Sequence, residues 1–195
     1  MPTALYRILL SLALLLPLTA HAGDANDFVA ANPAKQAKLL ESWAAHPDPA
    51  RQPLLDALQG GRLAVDSAKQ AFIEQDGQFV AAEGEALPAS TPKKLRLNNR
   101  LRGLLANAQA SQQLLATEPA TRLAAAQQLQ KSAKPAQLEL LNARVAGEQD
   151  DSVRAALALA LANLQLVDRD PAVRLSAVRL LGESGDPLAR TRLEG

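Results

Sequence analysis

A five-residue unit occurs twice in the second half of the chain, as Pro119-Ala120-Thr121-Arg122-Leu123 and Pro171-Ala172-Val173-Arg174-Leu175. Fifty-two residues separate Arg122 from Arg174, and the pairs Pro135/Pro187 and Leu141/Leu193 keep the same offset. A third version, Asp151-Ser152-Val153-Arg154, lies between them, 32 residues after Arg122 and 20 before Arg174. Self-similarity of this kind restricts a chain to stacked units, because one short helical unit buries its apolar face only against its neighbours. The expected architecture is therefore a stacked helical solenoid.

Composition agrees with helices. Apolar residues make up 48% of the chain but aromatics only 3%, so alanine and leucine dominate. Those are strong helix formers, whereas strands favour β-branched and aromatic side chains. Asp151 and Asp170 precede helical runs and are expected as N-caps, accepting from first-turn N–H groups; Asp186, before Pro187, repeats the pattern. After Asp170, the residues Val173, Ala177, Leu180 and Leu181 form one apolar stripe. The run after Asp151 is apolar nearly all round, so its helix is expected to be the most buried. The repeated arginines Arg122, Arg154 and Arg174 have two readings. They bridge carboxylates or carbonyls between stacked units with a planar five-donor fork, or they line a concave binding surface. The structural reading is preferred.

Upstream, the texture changes. Residues 1–22 read as an export signal: Arg7, an apolar run over 8–18, then Ala20-His21-Ala22 as a small-x-small cleavage pattern. An uncleaved anchor is the alternative, although a membrane span needs about 20 apolar residues. Residues 24–60 read as a helical pair over 34–45 and 49–59. Asp24 or Asn26 is the expected first cap, and Gly60-Gly61 the stop. Residues 62–92 read as a hairpin and a linker, with Asp76-Gly77 as the turn and Phe72 and Phe79 on one face. The linker, 83–92, has two prolines and a glycine and should be exposed. Residues 93–195 hold the helical repeats.

Several function classes are disfavoured. Without cysteine there is no thiolate chemistry and no cysteine-based zinc site. Lysine and arginine number 21 against 20 acidic residues, which argues against nucleic-acid binding. His46 is the single histidine after the signal, next to Pro47. No nucleophile elbow, phosphate loop or paired-histidine metal motif occurs. No catalytic residue, cofactor or metal is expected. Trp43, the only tryptophan, falls on an amphipathic helix and reads as core rather than ligand platform. The densest basic cluster is Lys93, Lys94, Arg96, Arg100 and Arg102. It is either a solvated helix face or a candidate surface for an acidic partner or anionic head groups.

The tandem Val-Arg units resemble HEAT-like repeats, although only 20 residues separate Arg154 from Arg174, too few for a full helix pair. The stretches 28–40 (FVAANPAKQAKLL), 92–103 (PKKLRLNNRLRG), and 162–168 (ANLQLVD) on to 185–190 (GDPLAR) are similar to the N-terminal extracytoplasmic region of the permease subunit of bacterial urea ABC transporters. That resemblance implies a HEAT-like α-solenoid attached to an inner-membrane importer of the branched-chain amino acid permease type, for urea or short amides. Its implied partners are the other importer subunits or the solute-binding protein, with possible contact to the inner-membrane surface. In that family a multi-helix permease follows this region, and no membrane-spanning run follows here. The expectation is a docking or assembly module, periplasmic or at the inner membrane. A free-standing periplasmic helical-repeat adaptor or binding protein is the alternative, and a direct urea site a weaker one.

Overall fold

The computed structural model describes residues 23–185. Within them the protein is mainly helical, with eight α-helices and one small antiparallel sheet.

The N-terminal stretch holds three α-helices where the sequence suggests two: α1 (Asp24–Ala30), α2 (Pro33–Ala45) and α3 (Gln52–Gln59). Asn32 and Pro33 separate the first two. The Asn32 side chain accepts from Lys35 N at 2.9 Å, and Pro33 takes the first helical position, where no N–H is needed. Neither expected cap closes α1. Its N-cap is Gly23, while the Asp24 carboxylate takes the Arg51 guanidinium at 2.7 Å and Asn26 bridges to the sheet. Before α3 a 3-10 turn runs over Pro49–Arg51, capped by Asp48, which accepts from Ala50 N. Gly61 ends this stretch with φ +62°, a left-handed conformation that glycine adopts without a Cβ penalty.

The hairpin belongs to a larger sheet. Strands β1 (Leu63–Val65), β2 (Ala71–Gln75), β3 (Gln78–Ala81) and β4 (Lys93–Lys94) run antiparallel in the order β3-β2-β1-β4. Two strands are marginal in water; the apolar 63–65 run and Lys93–Lys94, the start of the stretch expected to be helical, supply the others. Asp76 and Gly77 both have positive φ, 50° and 80°, as a two-residue turn requires. Glu74, not Phe72, is directly opposite Phe79, so the two phenylalanines share a face only on the diagonal. The linker is pinned rather than loose. The buried Asp66 carboxylate accepts from Ala89 N at 2.8 Å, and Glu83 accepts from Ala25 N at 2.6 Å.

The remaining helices are α4 (Asn99–Gln113), α5 (Pro119–Ser132), α6 (Leu138–Gly147), α7 (Asp151–Gln165) and α8 (Pro171–Glu183), with a 3-10 turn over Pro135–Gln137 ahead of α6. One core gathers Phe28, Leu40, Trp43 and Leu55 with Leu63, Leu101 and Leu105. A second gathers Leu114, Leu129, Leu141, Val153 and Leu157. Helix α4 spans both: its first half packs in the former core, and Ala110 just ahead of Leu114 in the latter. For that reason α4, rather than α7, buries more of its length. The outer leucines of α7, Leu159, Leu161 and Leu164, are only partly covered. Trp43 is core, its ring 5.5 Å from that of Phe28, with the Arg51 guanidinium 5.3 Å from the Trp43 ring centroid.

Candidate functional site

The repeated arginines occupy one position in their helices, the fourth residue of α5, α7 and α8. From there each reaches back over the helix start. Arg122 Nη1 donates to the carbonyls of Ala116 and Thr117 at 2.9 and 2.7 Å. Arg154 Nη1 donates to the Glu148 carbonyl at 3.0 Å, and Arg174 Nη1 to those of Asp168 and Arg169 at 2.7 and 3.0 Å. Each arginine thus fastens the loop that delivers the chain into its own helix, where carbonyls have no helical partner. The sequence unit repeats because the corner repeats.

Two of these corners meet at Glu148. Its side chain is 2% exposed and accepts a fork from Arg122, Nε to Oε2 at 2.8 Å and Nη2 to Oε1 at 2.7 Å. The Oε1 atom also accepts from the main-chain N–H groups of Gln149 and Asp150 at 3.0 and 3.1 Å. The Arg122 hydrogen bonds, outweighing desolvation and aided by the Asp150 amide, hold the Glu148 carboxyl down to about 2. The same carboxylate raises Arg122. Arg174 sits at a separate corner, where no such carboxylate pairs with it among the described residues.

The acidic caps divide. Asp170 caps α8, accepting from Ala172 N at 2.8 Å. For α7 the cap is Asp150, which accepts from Val153 N at 3.0 Å; Asp151 is the first helical residue and pairs with Arg154 instead. A cap stands one residue outside the helix, where its carboxylate reaches the first-turn N–H groups, and that position belongs to Asp150 rather than Asp151. Asp186 lies outside the described residues.

The basic cluster does not lie on one helix face. Lys93 and Lys94 form β4, and Lys94 pairs with Glu74 on β2. Arg96 lies in the segment between β4 and α4, while Arg100 and Arg102 fall in the first turns of α4. Arg100 lines a depression with Glu41, Lys131 and Lys134. Arg96 and Arg102 instead meet on another side, at a cleft floored by Leu58, Leu95, Leu97 and Leu105. Among the described residues neither of these two guanidinium groups makes an ion pair.

Three features escape a reading of the sequence. The polar row Asn107, Gln109, Ser111 and Gln112 of α4 is buried. Asn107 donates to the Ser132 carbonyl, Gln109 to Gln59 and Leu55, Gln112 accepts from Asp48 N, and Ser111 accepts from Gln137. These side chains bind α4 to helices on both sides, a role that the low-complexity run gives no hint of beyond its lack of charge. A second is a cavity of about 220 Å³ under α1, walled by Leu54 and Ile73. Its polar groups, Asp24, Arg51 and Glu83, already satisfy one another and the main chain. The third is α8, where Leu175, Val178 and Leu180 are exposed and Val167 stands free in the preceding loop.

No group of three or more metal-ligating side chains occurs among the described residues, and no described helix is long and apolar enough to cross a membrane. No family model matches the chain, and no curated protein or solved structure is significantly similar to it.

Proposed function

We propose that the chain is the extracytoplasmic helical-repeat domain of a urea or short-amide ABC importer permease, a docking or assembly module without a catalytic site. In this reading α5–α8 stack as HEAT-like repeats, the chain is exported by its N-terminal segment, and it works in the periplasm at the inner membrane. The partners are the other importer subunits or the solute-binding protein.

One observation supports a docking role above the others. Helix α8 repeats α5 at an offset of 52 residues, yet the two differ in what covers them. Ala125 and Leu129 of α5 correspond to Ala177 and Leu181 of α8, and all four are buried. Ala126, fully buried, corresponds to Val178, which is 40% exposed; Leu123, packed on the second core, corresponds to Leu175, which is 50% exposed. The α8 positions carry larger apolar side chains than solvent favours, on a face that in α5 is covered by neighbouring helices. A contiguous apolar face left open in this way is the usual mark of an interface.

The test is co-purification from the bacterial envelope. The wild-type chain should bring down importer subunits or the solute-binding protein, and Leu175→Asp with Val178→Asp should abolish that recovery without lowering the melting temperature. Recovery of neither protein by the wild-type chain under gentle conditions would contradict the proposal.

A further inference from the structure

We infer that the cleft between α3, β4 and the start of α4 binds small amphipathic anions, carrying a carboxylate head between Arg96 and Arg102 and an aliphatic tail along the leucine floor. This site is separate from the α8 face and does not depend on the docking role.

The cleft is built by the chain's path. Strand β4 feeds a four-residue segment in which Leu95 and Leu97 turn onto the first core and Arg96, between them, turns outward. Helix α4 then begins at Asn99 and brings Arg102 to the same mouth, one turn beyond its cap. Opposite stand Leu58, Gln59 and Gly61 at the end of α3. The cleft is an open groove with a volume of about 460 Å³. A cavity of roughly 150 Å³ holds benzene, so this one has room for a chain of about eight to twelve carbons with its head group.

The chemistry of the lining selects the ligand. None of the residues lining the cleft is acidic, and two are arginines. Gln59 and Gln109, the other polar members, are bonded to each other at 2.6 Å. The guanidinium forks are the charged donors at this cleft, and their geometry matches a carboxylate. The positive end of the α4 dipole adds to the same field. Cations in the first turn of a helix oppose that dipole, so Arg102 stands where stability alone disfavours it. Four leucines at the floor favour an aliphatic tail over a compact inorganic ion.

The experiment is isothermal titration of the full chain with sodium octanoate below its micellar concentration. Saturable one-site binding is expected, at least about tenfold tighter than for octylammonium or octanol, and propionate should give none. Arg96→Gln with Arg102→Gln should weaken octanoate about tenfold or more, the loss expected for one charge-assisted contact. Both residues are exposed and Arg102 opposes the α4 dipole, so the melting temperature should not fall. Ala106→Phe, which narrows the wall from an exposed position on α4, should block binding separately. Absence of saturable heat, or equal octanoate affinity in the double arginine variant, would overturn the inference. So would sedimentation with anionic-lipid vesicles that is lost in the double variant, because it would assign the arginines to a membrane surface instead.

Discussion

Replacing Glu148 with glutamine removes a charge that two elements of the fold share. In the native protein its carboxylate is folded at about 2 against an ordinary 4.5. A depressed carboxylate stabilises the folded state above its unfolded value and loses that contribution as pH falls through the folded one. At about 1.4 kcal/mol for each pH unit, the contribution at neutral pH is about 3 kcal/mol. Breaking a buried pair by removing one partner costs about 3–5 kcal/mol, a compatible magnitude. Glu148→Gln should therefore lose about 3 kcal/mol at pH 7 in chemical denaturation. The gap between wild type and variant should close as pH is lowered from 5 towards 2. Arg122→Met with Glu148→Leu should recover only part of the loss, because Arg144, 3.7 Å from the Glu148 carboxylate in the native protein, keeps its charge without that partner. A loss below about 1 kcal/mol at pH 7, the range of exposed pairs, would refute the reasoning. A gap that stays constant between pH 5 and 2 would do so as well.

Other consequences are tested by simpler comparisons. Asp150→Ala should cost about 1 kcal/mol by removing the α7 cap, and Asp151→Ala less than about 0.5 kcal/mol because that side chain is exposed; equal costs would restore Asp151 as the cap. Asp66→Asn should speed hydrogen exchange at Ala68, Gln70 and Ala89, whose amides its carboxylate accepts. The Gln70 hydrogen bond leads in lowering Asp66 below 3.8. Its contribution is present above the ordinary carboxylate range and lost as pH falls through the lowered value, so the variant should show a flatter acid limb in thermal melts. Arg174→Met should destabilise less than Arg122→Met in parallel melts, because among the described residues Arg174 fastens carbonyls while Arg122 also balances the buried Glu148.

Part of the helical framework was legible because its signals are local. A carboxylate cap followed by proline is written within two residues and marks the starts at Asp48-Pro49 and Asp170-Pro171 correctly, whereas of the expected α8 stripe only Ala177 and Leu181 are buried and Leu180 is exposed. Asp76-Gly77 marks its turn for the same reason. What was not legible depends on partners distant in sequence. The sheet needs Lys93–Lys94 to return beside Leu63–Val65, and two lysines carry no strand signal. Asn26 reads as a cap until Ala71 and Glu83 arrive to claim it. The buried polar row of α4 looks like solvent-facing surface, because alternation with alanine does not reveal that helices lie on both sides. The basic cluster looked continuous since its residues are close in sequence, but a strand, a bend and a helix start carry them in different directions. The repeated arginines were visible as a pattern, whereas their reach to carbonyls five and six residues upstream depends on the corner that each helix turns.

The open face of α8 carries the proposed role, and a photo-crosslinking residue placed at Val178 in the full chain, activated in intact bacterial envelope, tests it most directly. The account predicts an adduct to an importer subunit or to the solute-binding protein, and none from the same group placed at exposed Gln127 on α5. No adduct at Val178, or adducts of equal yield from both positions, would contradict it.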